Sequence, residues 1–234
     1  MKYLSDLRKS LLIIFFTLPF YISGCSSDSS VDEISITSTD ENGSTAINFT
    51  VLSDLLNTMP LDTLSLTESD GLIFMREEEK LARDVYTFLF TQWGSNIFDN
   101  ISGSEQTHTD AILILLDRYS ISDPVGNNAV GIFVDATLQG LYDTLVAQGA
   151  ASLIDGFMVG AAIEEIDLID IQNLVDALEG NEDIVLVYGE LMKGSRNHLR
   201  AFVQNLEAQG IIYQPQYLSQ DVYDAIINTD FEAG

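Results

Sequence analysis

Both histidines of this 234-residue chain fall on apolar helical stripes, and one of them closes a Glu-x-x-His motif. The first stripe runs Phe98, Ile101, Glu105, His108, Ile112, Leu115, Tyr119; the second runs Ile184, Tyr188, Leu191, Ser195, His198, Phe202. Steps of three and four keep residues on one helix face. An acid and an imidazole within such a stripe point into a core, where they cost several kcal/mol unless something pairs with them. A bound metal ion is an economical partner. Two further stripes carry one acid each. Leu72, Met75, Glu79, Ala82, Tyr86, Leu89, Trp93 is one, and Phe157, Ala161, Glu164, Leu168, Ile171, Val175, Leu178 is the other. Glu79, Glu105 and Glu164 each stand seven residues after the first bulky apolar residue of their stripe. Asp167, three residues after Glu164, lies on the same side.

The elements that position these groups follow from the pattern. A first long helix is predicted over about 68–93, with Thr67 as cap and Gly94 as stop. A second covers about 97–119, and a loop holding Pro124 and Gly126 follows. A shorter helix spans about 137–148. The third long helix starts after Ser152 and stops at Gly180; the fourth runs from about 182 to Gly210. The tail beyond Pro215 ends in an amphipathic piece near 221–227. No strand signal is strong enough for a sheet, although Ile211–Tyr213 reads as extended. Short turns within each pair and a long connection between pairs predict an all-α four-helix bundle with a crossover between its second and third helices. Four mid-length polar groups then meet in one layer. Carboxylate oxygen and imidazole nitrogen suit two divalent ions, iron foremost, with manganese or zinc as alternatives. The ligand set is Glu79, Glu105, His108, Glu164, Asp167 and His198. Register selects Glu79 over Glu78 and Glu164 over Glu165, and a one-residue slip would exchange them. On this reading Glu77, Glu78 and Glu165 are solvated. Arg83, Arg196 and Arg200 are candidates for structural ion pairs with Asp84 or Asp110. Tyr86 is a core phenol two turns from Glu79.

The ends of the chain read differently. Lys2, Arg8 and Lys9 precede an apolar run from Leu11 to Tyr21, and Ile22-Ser23-Gly24-Cys25 follows. This describes an export signal over 1–24. A Cys directly after small residues resembles a bacterial lipoprotein signal, which implies lipid on Cys25, a membrane anchor and a bacterial-envelope location. Ser26 at the next position favours the outer membrane. Residues 25–64 are expected to be tether and lead-in, flexible over about 26–45 and helical for at most a turn before Pro60. The bundle would fill 65–219, with a tail over 220–234. Cys25 is the sole cysteine, which excludes internal disulfides and thiolate metal sites. The net charge is −26; removing residues 1–24 takes away three basic residues and Asp6, leaving −28. Such a field excludes nucleic acid as a partner and favours cations.

Several segments carry a family resemblance. Glu79-Lys-Leu-Ala82-Arg83-Asp84-Val-Tyr86 resembles the first metal-binding helix of rubrerythrins. Glu105-Gln-Thr-His108 is similar to their second-helix motif, Glu164-Glu-Ile-Asp167 to their third-helix Glu-x-x-Glu, and Ser195-Arg-Asn-His198 falls where their fourth carries Glu-x-x-His. More closely, the stretch from about Leu72 to Ser219 resembles the ferritin-like family catalogued as domain of unknown function 2202, through "EEEKLARDVY", "SEQTH", "IEEIDLIDI", "GSRNHLRAF" and "PQYLS". The resemblance implies a ferritin-like di-metal bundle, with possible pairing into a homodimer. Activity toward dioxygen or peroxide is the leading expectation, and it needs an external electron donor. Non-catalytic metal binding, or a metal-free structural bundle, are the alternatives. Ser195 departs from the pattern, because a hydroxyl cannot replace an anionic bridging carboxylate.

Overall fold

Ser65 opens the first long helix with a reciprocal cap. Its hydroxyl accepts the Glu68 N–H at 3.2 Å, and the Glu68 carboxylate accepts the Ser65 N–H at 2.7 Å. This box satisfies two otherwise orphaned donors and replaces the expected cap at Thr67. The computed structural model describes residues 35–233, so the expected signal over 1–24 and Cys25 lie outside the described residues. The elements are β1 (Thr37–Thr39), β2 (Thr45–Ile47), α1 (Phe49–Thr58), α2 (Leu66–Trp93), α3 (Asn96–Arg118), α4 (Ala136–Gly149), α5 (Leu153–Asp176), α6 (Glu182–Ala208) and α7 (Gln220–Ile227). The described chain is predominantly helical, as the sequence predicts.

Gly94 ends α2 in the left-handed conformation (φ 65°), and its N–H returns to the Phe90 carbonyl. The chain then reverses within Gly94 and Ser95, and α3 packs along α2; α5 and α6 make the second close pair. The shorter α4 lies against α2 and α5. Arg118 and Tyr119 at the end of α3 both reach Asp183 in the first turn of α6, at 2.8 Å each. The apolar interior is divided into two clusters. One contains Ala82, Tyr86, Leu89, Phe98, Ile101, Phe157 and Phe202. The other contains Leu72, Met75, Ile112, Leu115, Ile171, Ile184 and Leu191. In sequence, the candidate polar residues fall between these clusters on all four long helices.

Residues 35–47 differ from the expected tether. Thr37–Thr39 pairs antiparallel with Thr45–Ile47, with Thr37 opposite Ile47. Asp40 makes the turn, its Oδ1 accepting the N–H groups of Asn42 and Ser44. Ile36, Thr37, Thr45 and Ile47 are buried, and β2 packs on α3. Strands of three residues carry too few periods to register as alternation, and their Ser/Thr-rich composition resembles a linker. The following lead-in is also longer than expected: α1 runs ten residues from an Asn48 cap and buries Leu52 and Leu56. It ends before Pro60, as that residue requires. At the other end, Tyr223 and Ile226 of α7 join the core.

Candidate metal centre

Each long helix delivers its stripe residue to the same depth. Glu79 comes from α2, Glu105 and His108 from α3, Glu164 and Asp167 from α5, and His198 from α6. All are buried, the two histidines completely. His108 Nδ1 lies 2.9 Å from Glu105 Oε2 and 3.3 Å from Glu79 Oε2. His198 Nδ1 lies 2.8 Å from Glu105 Oε1 and 3.5 Å from Glu164 Oε2. Two triads result, Glu79–Glu105–His108 and Glu105–Glu164–His198, each with ligand atoms within 4.8 Å of one another. Glu105 belongs to both, one oxygen toward each imidazole. The rings stack 5.4 Å apart.

These short approaches are not hydrogen bonds. His108 Nδ1, His198 Nδ1, Glu79 Oε1 and Asp167 Oδ1 are all buried without a hydrogen-bond partner. Buried polar atoms are normally satisfied, and four orphans in one layer are what a set of cation ligands leaves. The donor chemistry agrees. Glu79, Glu105, Glu164 and Asp167 together would balance two divalent ions, and neutral imidazole nitrogens complete each triad. The residues therefore form two groups that could hold metal. Asp167 turns inward but stands outside both triads; its other oxygen accepts the Ser195 hydroxyl. Tyr86, completely buried, donates to Glu164 Oε1 at 2.5 Å.

The protein's own field is strongly polarised here. Burial pushes Glu79 up to about 8, against the pull of His108. Burial likewise raises Glu164, and it raises Asp167 well above the carboxylate range, with Glu79, Glu164 and Glu105 adding to the rise at Asp167. Glu105 moves the other way: burial disfavours its charge, but His108 and His198 outweigh that and hold it well below the usual range. Burial also opposes charge on the imidazoles, yet their carboxylate neighbours lift His198 to about 9 and His108 well above its ordinary value. Every group but Glu105 is thus biased toward its protonated form, the response of buried acids and imidazoles to a shared low-dielectric interior.

Some sequence expectations change here. Glu77, Glu78 and Glu165 are buried rather than solvated. The Glu77 carboxylate accepts the Val134 and Asp135 N–H groups at 2.6 and 2.8 Å, anchoring the approach to α4. Glu165 accepts the Tyr213 hydroxyl and the N–H groups of Gln216, Tyr217 and Leu218. Glu78 stands beside Asp170, where burial and that neighbour push its carboxyl well up. Arg83 pairs with Asp84 as expected, whereas Arg196 and Arg200 pair with Glu232. Missed altogether was Thr45, whose hydroxyl lies 3.1 Å from His198 Nε2 and 3.3 Å from His108 Nε2. Gly194 also escaped notice; a Cβ there would stand 2.4 Å from the His108 ring.

The model of the family described as "Uncharacterized protein domain (DUF2202)" matches residues 68–230. This chain belongs to that family. The DUF2202 chain is 47% identical over 181 residues to the uncharacterized protein MJ0754 of Methanocaldococcus jannaschii, covering 77% of this chain and 97% of the relative. It also resembles the crystal structure of the hypothetical protein MJ0754 from Methanococcus jannaschii, with a TM-score of 0.73 at 48% identity, over 74% of this chain and 99% of that one. The comparison corrects the expected bacterial-envelope location. A protein matching most of this DUF2202 chain comes from an archaeon, and among the described residues no helix is long and apolar enough to cross a membrane.

Proposed function

We propose that this protein is a ferritin-like di-metal carboxylate protein, with its four long helices forming a bundle around the polar layer. The order of the apolar clusters supports the topology. Along α2 and α6 the chain passes from the Leu72–Leu191 cluster to the Phe98–Phe202 cluster, and along α3 and α5 it passes the opposite way. Two consecutive long helices with the same polarity need a connection that returns the length of the bundle, and α4 with its flanking loops supplies it.

The two buried triads that share Glu105 carry the functional reading. When bound there, two redox-active divalent ions, iron first among the candidates, supply electrons to dioxygen or peroxide. The chain's own groups set the conditions. Glu105 faces both positions, while Glu79 and Glu164 each serve one. Ser195 orients Asp167, and the Tyr86 hydroxyl fixes the Glu164 carboxylate and holds a proton against it. Phe98, Ile101 and Phe202 on one side and Met75, Ile112 and Leu191 on the other exclude bulk water. An external reductant is required, because the sole cysteine cannot build an iron–sulfur relay. One observation favours non-catalytic metal binding as the second reading. At Ser195, where a further carboxylate would add charge, the side chain is a hydroxyl committed to Asp167 and the Leu191 carbonyl.

Anaerobic addition of ferrous iron followed by elemental analysis tests the reading. About two irons per chain are expected. Glu105→Gln should remove both positions, whereas Glu79→Gln should remove one. Wild-type stoichiometry in Glu105→Gln, or no iron in the wild type, would sink it. Peroxide-driven oxidation of the loaded protein separates the catalytic reading from the storage or scavenging one.

A further inference from the structure

Thr45 reaches the two histidines from the side opposite the carboxylates. It is 3% exposed, and its N–H donates to Ser104 Oγ at 2.8 Å. Its single hydroxyl serves both Nε2 atoms. A hydroxyl has two lone pairs and one proton. If both Nε2–H groups donate to the two lone pairs, both Nδ1 atoms are bare, and these are the nitrogens turned to Glu79, Glu105 and Glu164. If instead the threonine proton is donated to one Nε2, that ring carries its proton on Nδ1. That proton would sit on the nitrogen turned to the carboxylates of each triad, where a metal would have to bind. A neutral ring that ligates from this side therefore needs the first arrangement.

The surroundings reinforce it. Gly194 leaves the room in which the His108 ring and the hydroxyl meet: a Cβ there would stand 2.4 Å from His108 Nε2 and 3.2 Å from Thr45 Oγ1. The hairpin is tied down by Ser44 on Ser104 at 3.0 Å and by Thr39 on the Glu232 carbonyl at 2.8 Å.

We propose that Thr45 is a positioning residue that sets the ligating tautomer of both histidines at once, making the N-terminal hairpin part of the metal centre. The inference rests on the di-metal reading. Partners that orient ligating imidazoles typically contribute 10- to 100-fold in metal affinity.

The test uses the whole chain with zinc as a diamagnetic probe. Thr45→Val keeps the branched shape and deletes the hydroxyl; Thr45→Ser keeps the hydroxyl. Long-range proton–nitrogen correlation on the zinc-loaded wild type should show both rings protonated at Nε2. Chelator competition should show affinity falling about 10- to 100-fold in Thr45→Val and staying near wild type in Thr45→Ser. An Nδ1–H signal in the loaded wild type would overturn the inference, even if Thr45→Val does not fold. So would a Thr45→Val protein that binds zinc like wild type, while the di-metal reading survived. Failure of the wild type to bind zinc, cobalt or iron would remove both.

Discussion

Gly194→Ala is a small change that the site should not tolerate. The glycine lies within α6, where alanine would otherwise raise helix stability by about 1 kcal/mol. Its new Cβ, however, would stand 2.4 Å from both Cε1 and Nε2 of His108. Unstrained carbon contacts lie at about 3.5–4.0 Å, so the ring or the helix must retreat by about 1 Å. The ring has little room to do so, with Thr45 on its Nε2 and Glu105 and Glu79 at its Nδ1. Overpacking of this kind typically costs about 1–3 kcal/mol, leaving a net loss of about 0–2 kcal/mol after the propensity gain. Metal binding should suffer more than stability. A shift of about 1 Å spoils the Glu79–Glu105–His108 position first, so binding should fall below about two equivalents. Urea denaturation of the metal-free protein and cobalt titration with optical detection read the two effects separately. A variant that keeps both wild-type stability and the full metal complement would refute the placement of His108 against α6.

Gly160→Ala should lower stability by about 1–2 kcal/mol without touching the metal ligands, because its Cβ would meet the Phe202 ring at 2.4 Å, and Tyr86 and Phe98 pack against that ring. Thermal denaturation at unchanged metal stoichiometry checks this. Glu165→Ala leaves the Gln216, Tyr217 and Leu218 N–H groups without their carboxylate acceptor and should cost about 3–5 kcal/mol. A loss below about 1 kcal/mol in urea, the scale of one ordinary hydrogen bond, would deny Glu165 that anchoring role. At Glu68 burial is opposed by bonds from Glu179, Ser65 and Asn181, which together hold its carboxyl down at about 2. Its stabilising contribution is therefore complete above the unfolded value near 4.5 and lost as pH falls toward 2. Allowing for solvent screening at the helix end, Glu68→Gln should lose about 1–2 kcal/mol at pH 7 and much less near pH 2. Equal losses at both pH values would contradict the assignment.

The polar layer was legible because a period near 3.6 persists through helices of 23 to 28 residues, so one misplaced acid per stripe stands out. Glu77, Glu78 and Glu165 were misassigned because a single stripe describes one helix face. The second face of α2 is covered by α4, and that of α5 by the segment around Tyr213–Leu218. Neither covering element announces in sequence where it will lie. Thr45 was illegible for a stronger reason. It sits 63 residues from His108 and 153 from His198, and its role arises from a hairpin whose strands are three residues long.

Thr39 and Glu232, whose contact helps seat the hairpin over the histidines, are 193 residues apart. The same Glu232 accepts from Arg196 and Arg200, while its N–H and C=O bond the Asn197 side chain, all within one turn of His198. Closing so long a loop is entropically expensive until the helices between its ends have packed. The carboxylates and imidazoles can therefore converge early in folding, and the hairpin sealing them is a late event. In unfolding the order reverses. The seal is attached through few backbone bonds and can open at a free energy well below that of the whole protein. Metal exchange would then track the fraying of two chain segments, and its rate should be nearly independent of how stable the long helices are.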